Sequence, residues 1–359
     1  MNLSLGIVGL PNVGKSTLFN ALTNQQVPAE NYPFTTIDPN SGVVAVKDKR
    51  LDFLVKVANP AKITPAVVEF VDIAGLIKGA ASGEGLGNKF LANIKEVSAI
   101  VHVVRAFHNN NITHVENSVN PTRDIELINT ELILKDLETV EKRIKDLQSR
   151  SRADSKLLKA YEHVTKLHIH LSEGKLGVDF PYTQDELIDK ERKDLFLLTD
   201  KPVIYLINST DGEQSELAQQ VIKAIGNKPY IVMDVKTEHE LSAMNDEDRA
   251  MFMQDLGMED TGLNQLTRVA YKTLGLISFF TEGPEEVRAW TIKQGFKAPQ
   301  AAGTIHTDFE KKFITAEICS YEDFEAVGSW NNAKAQGKLR LEGKEYLMKD
   351  GDIVIFRHG

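Results

Sequence analysis

Gly9-Leu10-Pro11-Asn12-Val13-Gly14-Lys15-Ser16 fits G-x-x-x-x-G-K-[ST] at every defined position. The stretch follows an apolar run over 3–9 and precedes a helix-like segment, so it reads as a phosphate loop between strand and helix. The glycines let backbone N–H groups curl around phosphate oxygens without Cβ clashes. The helix expected from about Gly14 adds its positive end. Lys15 would bridge the β- and γ-phosphates, and the Ser16 hydroxyl would ligate Mg²⁺.

Outward from the loop, short Val- and Ile-rich runs recur at 67–72, 99–104, 202–207 and 229–233, separated by helix-like segments. That alternation predicts an α/β fold with a mostly parallel sheet and crossover helices. Asp72-Ile73-Ala74-Gly75 ends the second run. An Asp there sits at the crevice beyond the strand ends and can hold Mg²⁺ through water, while the Gly75 N–H senses the γ-phosphate. Between the two motifs lies Asn31-Tyr32-Pro33-Phe34-Thr35-Thr36-Ile37-Asp38-Pro39. A threonine here would offer its hydroxyl to Mg²⁺ in a switch loop; spacing does not choose between Thr35 and Thr36. Five glycines fall in the thirteen residues 75–87, a stretch that orders only at high entropic cost. Leu76 stands where a Ras-like enzyme has its water-orienting Gln, so intrinsic hydrolysis is expected to be slow.

The 359 residues predict two to three domains. With 42% hydrophobic and 26% charged residues the composition is that of a globular protein. The single cysteine, Cys319, excludes an internal disulfide and fits a reducing compartment. No secretory leader or membrane span is evident, and a cytoplasmic location is expected. A net charge of −9 argues against broad nucleic-acid affinity, although 135–166 carries nine Lys/Arg against six Asp/Glu. Overlapping that stretch, Ile133, Leu137, Val140, Ile144 and Leu147 alternate at four and three, the seam of a coiled coil. After a polar turn at 149–155, Leu157, Tyr161, Val164, Leu167 and Leu171 resume helical spacing, which predicts an antiparallel helical arm. The last eighty residues bring β-like runs at 287–292, 313–318 and 352–356, suggesting a small α+β domain.

A GTPase would carry Asn-Lys-x-Asp after a late strand; here the strand over 203–207 is followed by Asn208-Ser209-Thr210-Asp211. The Asn and Asp are in place and the Lys is not.

These residues resemble the YchF (Obg-like ATPase) family of P-loop NTPases. The matching stretches are GLPNVGKSTLFNALT at 9–23, NYPFTTIDPN at 31–40, FVDIAGLIKGAASGEGLGNKFL at 70–91 and EVRAWTIKQGFKAPQAAGTIHTDFEKKF at 286–313. The resemblance implies a P-loop nucleotide-binding domain over 1–122 and 195–275, an inserted coiled-coil arm over 123–194, and a ubiquitin-like β-grasp (TGS) domain over 276–359. It implies phosphate binding by Asn12, Val13, Gly14, Lys15, Ser16 and Thr17. Mg²⁺ ligands would be Ser16 and Thr36, beside Asp72, with Lys15, Thr36 and Gly75 as the catalytic group. Base contact falls on Asn208 and Ser209. The family prefers ATP through Asn-x-x-Glu; this chain has Asp211 instead of Glu, which keeps a GTPase of the Obg type as the alternative. Phe107 is a candidate stacking partner for the base, and Asn12 a candidate K⁺ ligand. The implied role is a ribosome-associated, nucleotide-switched regulator of translation or stress response, with RNA as a candidate ligand between arm and TGS domain. The competing reading is a nucleotide-gated binding module with incidental turnover. No further exposed seam asks for a mate, so a monomer is expected.

Overall fold

The computed structural model describes residues 4–27, 40–73, 93–109, 111–114, 118–181 and 183–359. The chain runs β1 (Ser4–Val8), α1 (Lys15–Thr23), β2 (Ser41–Ala45), α2 (Lys49–Ala58), β3 (Lys62–Thr64), β4 (Val67–Asp72) and β5 (Ala99–Arg105). Next come α3 (Pro121–Ser151), α4 (Leu158–Ser172), α5 (Glu186–Lys193), β6 (Val203–Asn208), α6 (Glu216–Ile225), β7 (Tyr230–Met233) and α7 (Val235–Ala243). Then follow α8 (Asp246–Asp255), α9 (Gly262–Thr273), β8 (Leu276–Thr281), β9 (Glu286–Lys293) and α10 (Ala298–Ile305). The chain ends with α11 (Thr307–Lys311), β10 (Phe313–Ser320), α12 (Tyr321–Val327), α13 (Trp330–Ala335), β11 (Arg340–Glu342) and β12 (Asp352–His358). It divides into two compact units, one of residues 1–24, 38–42 and 70–262, the other of 25–37, 43–69 and 263–359.

The first unit is built on a six-stranded sheet of order β2-β4-β1-β5-β6-β7; the division between units passes within β2 and β4. β1 pairs with β5, β5 with β6, and β6 with β7, all parallel, as the apolar runs predict. β1 and β5 are buried along their whole length, which explains why they read as continuous apolar runs rather than alternating ones. α1 packs against α7 and buries Leu18, Ala21 and Leu22.

The arm starts at α3, where Asn120 caps the helix by accepting from the Arg123 N–H at 3.1 Å and Pro121 occupies the first turn. Thirty-one residues give α3 a length of roughly 46 Å. Ile133, Val140 and Leu147 of α3 share a core with Leu157, Ala160, Val164, Leu167 and Leu171, while Leu137 and Ile144 pack at its edge. The helix runs through Ser151, so the turn is shorter than the polar stretch 149–155 suggests; Asp154 closes it by accepting from the Lys156 N–H. At the root, the buried Asp136 carboxylate accepts from the N–H groups of Leu198 and Thr199 and from the Thr199 hydroxyl, at 2.7–2.8 Å. Burial outweighs those bonds and pushes the Asp136 carboxyl up to about 6.

The second unit carries a mixed sheet of order β11-β10-β12-β8-β9-β3. β12 pairs parallel with β8 and antiparallel with β10, β8 pairs antiparallel with β9, and α10 closes one face around Phe279, Ile292, Phe313, Ala316 and Val354. This is the β-grasp arrangement expected of the C-terminal region. β3, from far upstream, extends the sheet by pairing parallel with β9. His306 accepts from the Asp308 N–H as the cap of α11, a structural use of that histidine.

Candidate functional site

The loop between β1 and α1 is shaped by backbone that most residues avoid. Asn12 has φ 63° and Gly14 φ 107°. A Cβ on Gly14 would lie 2.6 Å from Asn208 Nδ2, so glycine is required there by conformation and by space. Gly14 caps α1 without a side chain, which leaves the first-turn N–H groups of Lys15, Ser16 and Thr17 without a capping side chain. Lys15 is buried and donates from Nζ to the Leu10 carbonyl at 2.7 Å. Burial lowers its pKa to about 8, an effect that the negative charge of Asp72 partly offsets. Asp72, at the end of β4, is half-buried, and burial raises its carboxyl against the opposing pull of Lys15. Beneath the loop His102 is held neutral, its pKa pushed down to about 3 by burial and then by the Lys15 charge.

The Ser16 side chain is exposed in the first turn of α1. Neither its hydroxyl nor the Asp72 carboxylate is engaged in a hydrogen bond among the described residues. One hydroxyl and one carboxylate are hard oxygen donors, and this set fits Mg²⁺. Thr17 is half-buried and Val13 is buried. Thr36 and Gly75, like Thr35 and Leu76, lie outside the described residues.

At the far side of the loop the structure brings Asn208 to the phosphate loop. Its Nδ2 donates to the Val13 carbonyl at 2.9 Å and its Oδ1 accepts from the Val235 N–H at 3.1 Å. The side-chain amide thus ties the loop to the start of α7. Ser209 is turned inward, its hydroxyl donating to the Gly212 carbonyl at 3.1 Å, so it braces the turn over 209–215. Asp211 is exposed, and its carboxylate has no partner among the described residues.

The family comparisons agree with this geometry. A family model described as "50S ribosome-binding GTPase" matches residues 4–136. A second, for the C-terminal region of YchF GTPases and described as a protein of unknown function (DUF933), matches 276–359. The Bacillus subtilis protein named "Ribosome-binding ATPase YchF" is 48% identical over 99% of both chains. The Bos taurus protein "Obg-like ATPase 1" is 45% identical over 99% of this chain and 92% of its own. The solved structure of the Schizosaccharomyces pombe YchF GTPase superposes with a TM-score of 0.89 at 39% identity, covering 99% of this chain and 98% of that one. The chain belongs to the YchF family.

In this YchF chain two further residues shape the site that the motifs did not reveal. Arg105 closes β5, is 1% exposed, and donates to the carbonyls of Phe107, Asn109 and Ile112 at 3.1–3.3 Å. Its guanidinium also lies 4.7 Å from the centre of the Phe107 ring, so one face of that candidate base-stacking ring is already covered. The loop that Arg105 organises reaches the phosphate loop through Thr113, whose carbonyl accepts from Asn12 Nδ2 at 3.1 Å. A buried arginine at the end of a central strand was the available sequence signal, because arginine is almost never fully buried without a structural task.

Proposed function

We propose that this chain is a slow, Mg²⁺-dependent ATPase acting as a nucleotide-switched, ribosome-associated regulator of translation or stress response in the cytoplasm. The observation that carries the reading is the uncapped start of α1 over the left-handed Asn12 and Gly14, with Lys15 held buried beside it. The amides of Val13 to Thr17 bind the phosphates and Lys15 bridges the β- and γ-positions. Ser16 and Asp72, with Thr36, hold Mg²⁺, which when bound neutralises charge developing on the transferred phosphoryl group. Leu76 cannot polarise water, so turnover is slow without help from substrate, K⁺ or a partner. Asn12 Oδ1 has no partner among the described residues, which supports K⁺ at the phosphates; equal rates in K⁺ and Na⁺ would remove that assignment. The relatives' names report ATPase activity for both proteins and ribosome binding for the Bacillus subtilis one, and the match covers 99% and 92% of their lengths. The arm over 123–194 and the TGS domain over 276–359 are the proposed grips.

One observation favours a second reading. The exposed Asp211, without a partner among the described residues, can accept hydrogen bonds from guanine, as in an Obg-type GTPase. Calorimetric titration of ATP and GTP side by side with Mg²⁺ separates the two, since tenfold preference is only about 1.4 kcal/mol, roughly one base contact. Clear preference for ATP supports the first reading and preference for GTP the second. Binding of neither removes both. A nucleotide-gated module without functional turnover would work fully with a non-hydrolysable ATP analogue.

A further inference from the structure

Phe196 adopts a conformation that a bulky side chain takes only under constraint. Its φ is 48°, in the left-handed region, yet its side chain is 68% exposed. The constraint is visible on both sides: Leu195 and Leu197 are buried in the arm's core. The Phe196 N–H also closes the turn after α5 by donating to the Lys193 carbonyl at 3.2 Å. Arg192, one turn earlier, is fixed by Asp200 and by the Gly177 carbonyl. The ring is therefore held out by the fold, and no ring or cation packs on it among the described residues.

Its chain neighbours Asp194 and Leu195 line a cavity of about 550 Å³, open to solvent, together with Lys95, Thr139, Lys142, Arg143 and Asp146. Its three cations outnumber its two carboxylates. Asp146 is already engaged by Arg143 and Arg150, and Arg143 is held by Glu191 as well. Lys95 and Lys142 have no carboxylate partner among the described residues, and both are exposed. The volume is within the range of small-ligand sites.

We propose that Phe196 and this cavity form a second ligand site for a nucleotide, with the base stacked on the Phe196 ring and a phosphate between Lys95 and Lys142. Every base has a π-face, so a single exposed ring accepts a base without reading its identity. Lysine binds phosphate as a point charge and needs no bidentate geometry. None of these residues belongs to the phosphate loop, so the site is separate from the nucleotide site proposed above, although Lys142 lies in the arm proposed as a grip. The nucleotide comes either as a free mononucleotide or as one residue of an RNA strand.

The test uses the full chain and two probes lacking the β-phosphate that a phosphate loop grips: UMP, followed by calorimetry, and a 3′-fluorescein octauridylate with a 5′-hydroxyl, followed by anisotropy. Phe196→Gly is expected to weaken binding about tenfold by removing the stack. It is also expected to raise the thermal midpoint, because glycine accepts the left-handed backbone. A purely structural Phe196 would not move the two readouts in opposite directions. Lys142→Gln is expected to weaken the octamer and to reduce its salt slope by about 0.7. ATP binding at the phosphate loop should be unchanged in both variants. Binding of the octamer alone identifies a strand as the ligand, and equal binding of UMP identifies a free nucleotide. Failure of both probes to bind, or unchanged affinity in Phe196→Gly, overturns the site.

Discussion

Lys15 carries its charge at a cost. Its folded pKa of about 8 lies below the 10.5 of a solvated lysine, because burial outweighs the attraction of Asp72. The unfolded chain therefore binds more protons between those values, and stability rises with pH across that window. The shift corresponds to about 3 kcal/mol of penalty at neutral pH, within a factor of two. A triphosphate selects the charged form, so its affinity should fall as pH passes about 8, approaching about tenfold per unit. ATP titrations from pH 7 to 9.5 would show this; a flat profile would mean that Lys15 stays charged. Asn208 makes a different residue-scale prediction. Asn208→Ala leaves the Val13 carbonyl and the Val235 N–H unpaired in a buried place, and should cost about 2–4 kcal/mol in urea denaturation. The two residues also differ in how well the sequence announces them. Lys15 is legible because the motif fixes its neighbours on both sides. The clamping role of Asn208 is not, since it depends on Val235 arriving from a strand and a turn further along. Arg105 is hidden for the same reason: its three carbonyl partners lie in a loop without regular periodicity.

Among elements, those with long uniform patterns were the readable ones. The arm's alternating spacing survives as a real core because a seam of seven-residue period meets its partner every second turn. β1, β5 and β6 were readable because burial on both faces leaves unbroken apolar runs. β3 and β11, three residues each, are too short to show a period and owe their existence to neighbours. β8 follows α9 after only Leu274 and Gly275, so no loop of ordinary length announces the change from helix to strand. The arm's core is local to its own helices, which yields a prediction at this scale. Leu147 is fully buried near the far end of α3. Leu147→Ala should remove about 3 kcal/mol from the arm and open new protease cuts between residues 133 and 172. ATP affinity should be unchanged, because no phosphate-loop contact passes through Leu147. A parallel loss of ATP binding would show that arm and nucleotide site unfold together.

On the scale of the molecule, the second unit draws its parts from distant stretches of chain. α2 and β3, from 43–69, belong with residues 263–359. Nothing in the composition of 43–69 announces this, because a strand of three residues and one amphipathic helix would suit many partners. The attachments are specific. Arg50 donates to Asp48 and Asp350 at 2.7–2.8 Å and lies 5.2 Å from the centre of the Phe280 ring. The Asp350 carboxylate in turn accepts from the Ser278 N–H at 2.9 Å. β3 supplies the outer strand of the sheet, and Thr64 donates to Glu286 at 2.6 Å. A chain ending at 275 loses β9, β12 and Asp350 together. It strands Arg50 without one of its two carboxylates and leaves β3 as an unpaired edge. The truncated protein should therefore bind a hydrophobic dye and aggregate on warming, even though it keeps every phosphate-loop residue. In the full chain the Arg50–Asp350 link can be isolated by a double-mutant cycle with alanine at each position. Because Arg50 is only partly exposed and is also held by Asp48, a coupling of about 1 kcal/mol is expected, above that of a typical surface pair. Zero coupling, with full solubility of the truncated chain, would mean that α2 and β3 fold without the C-terminal sheet.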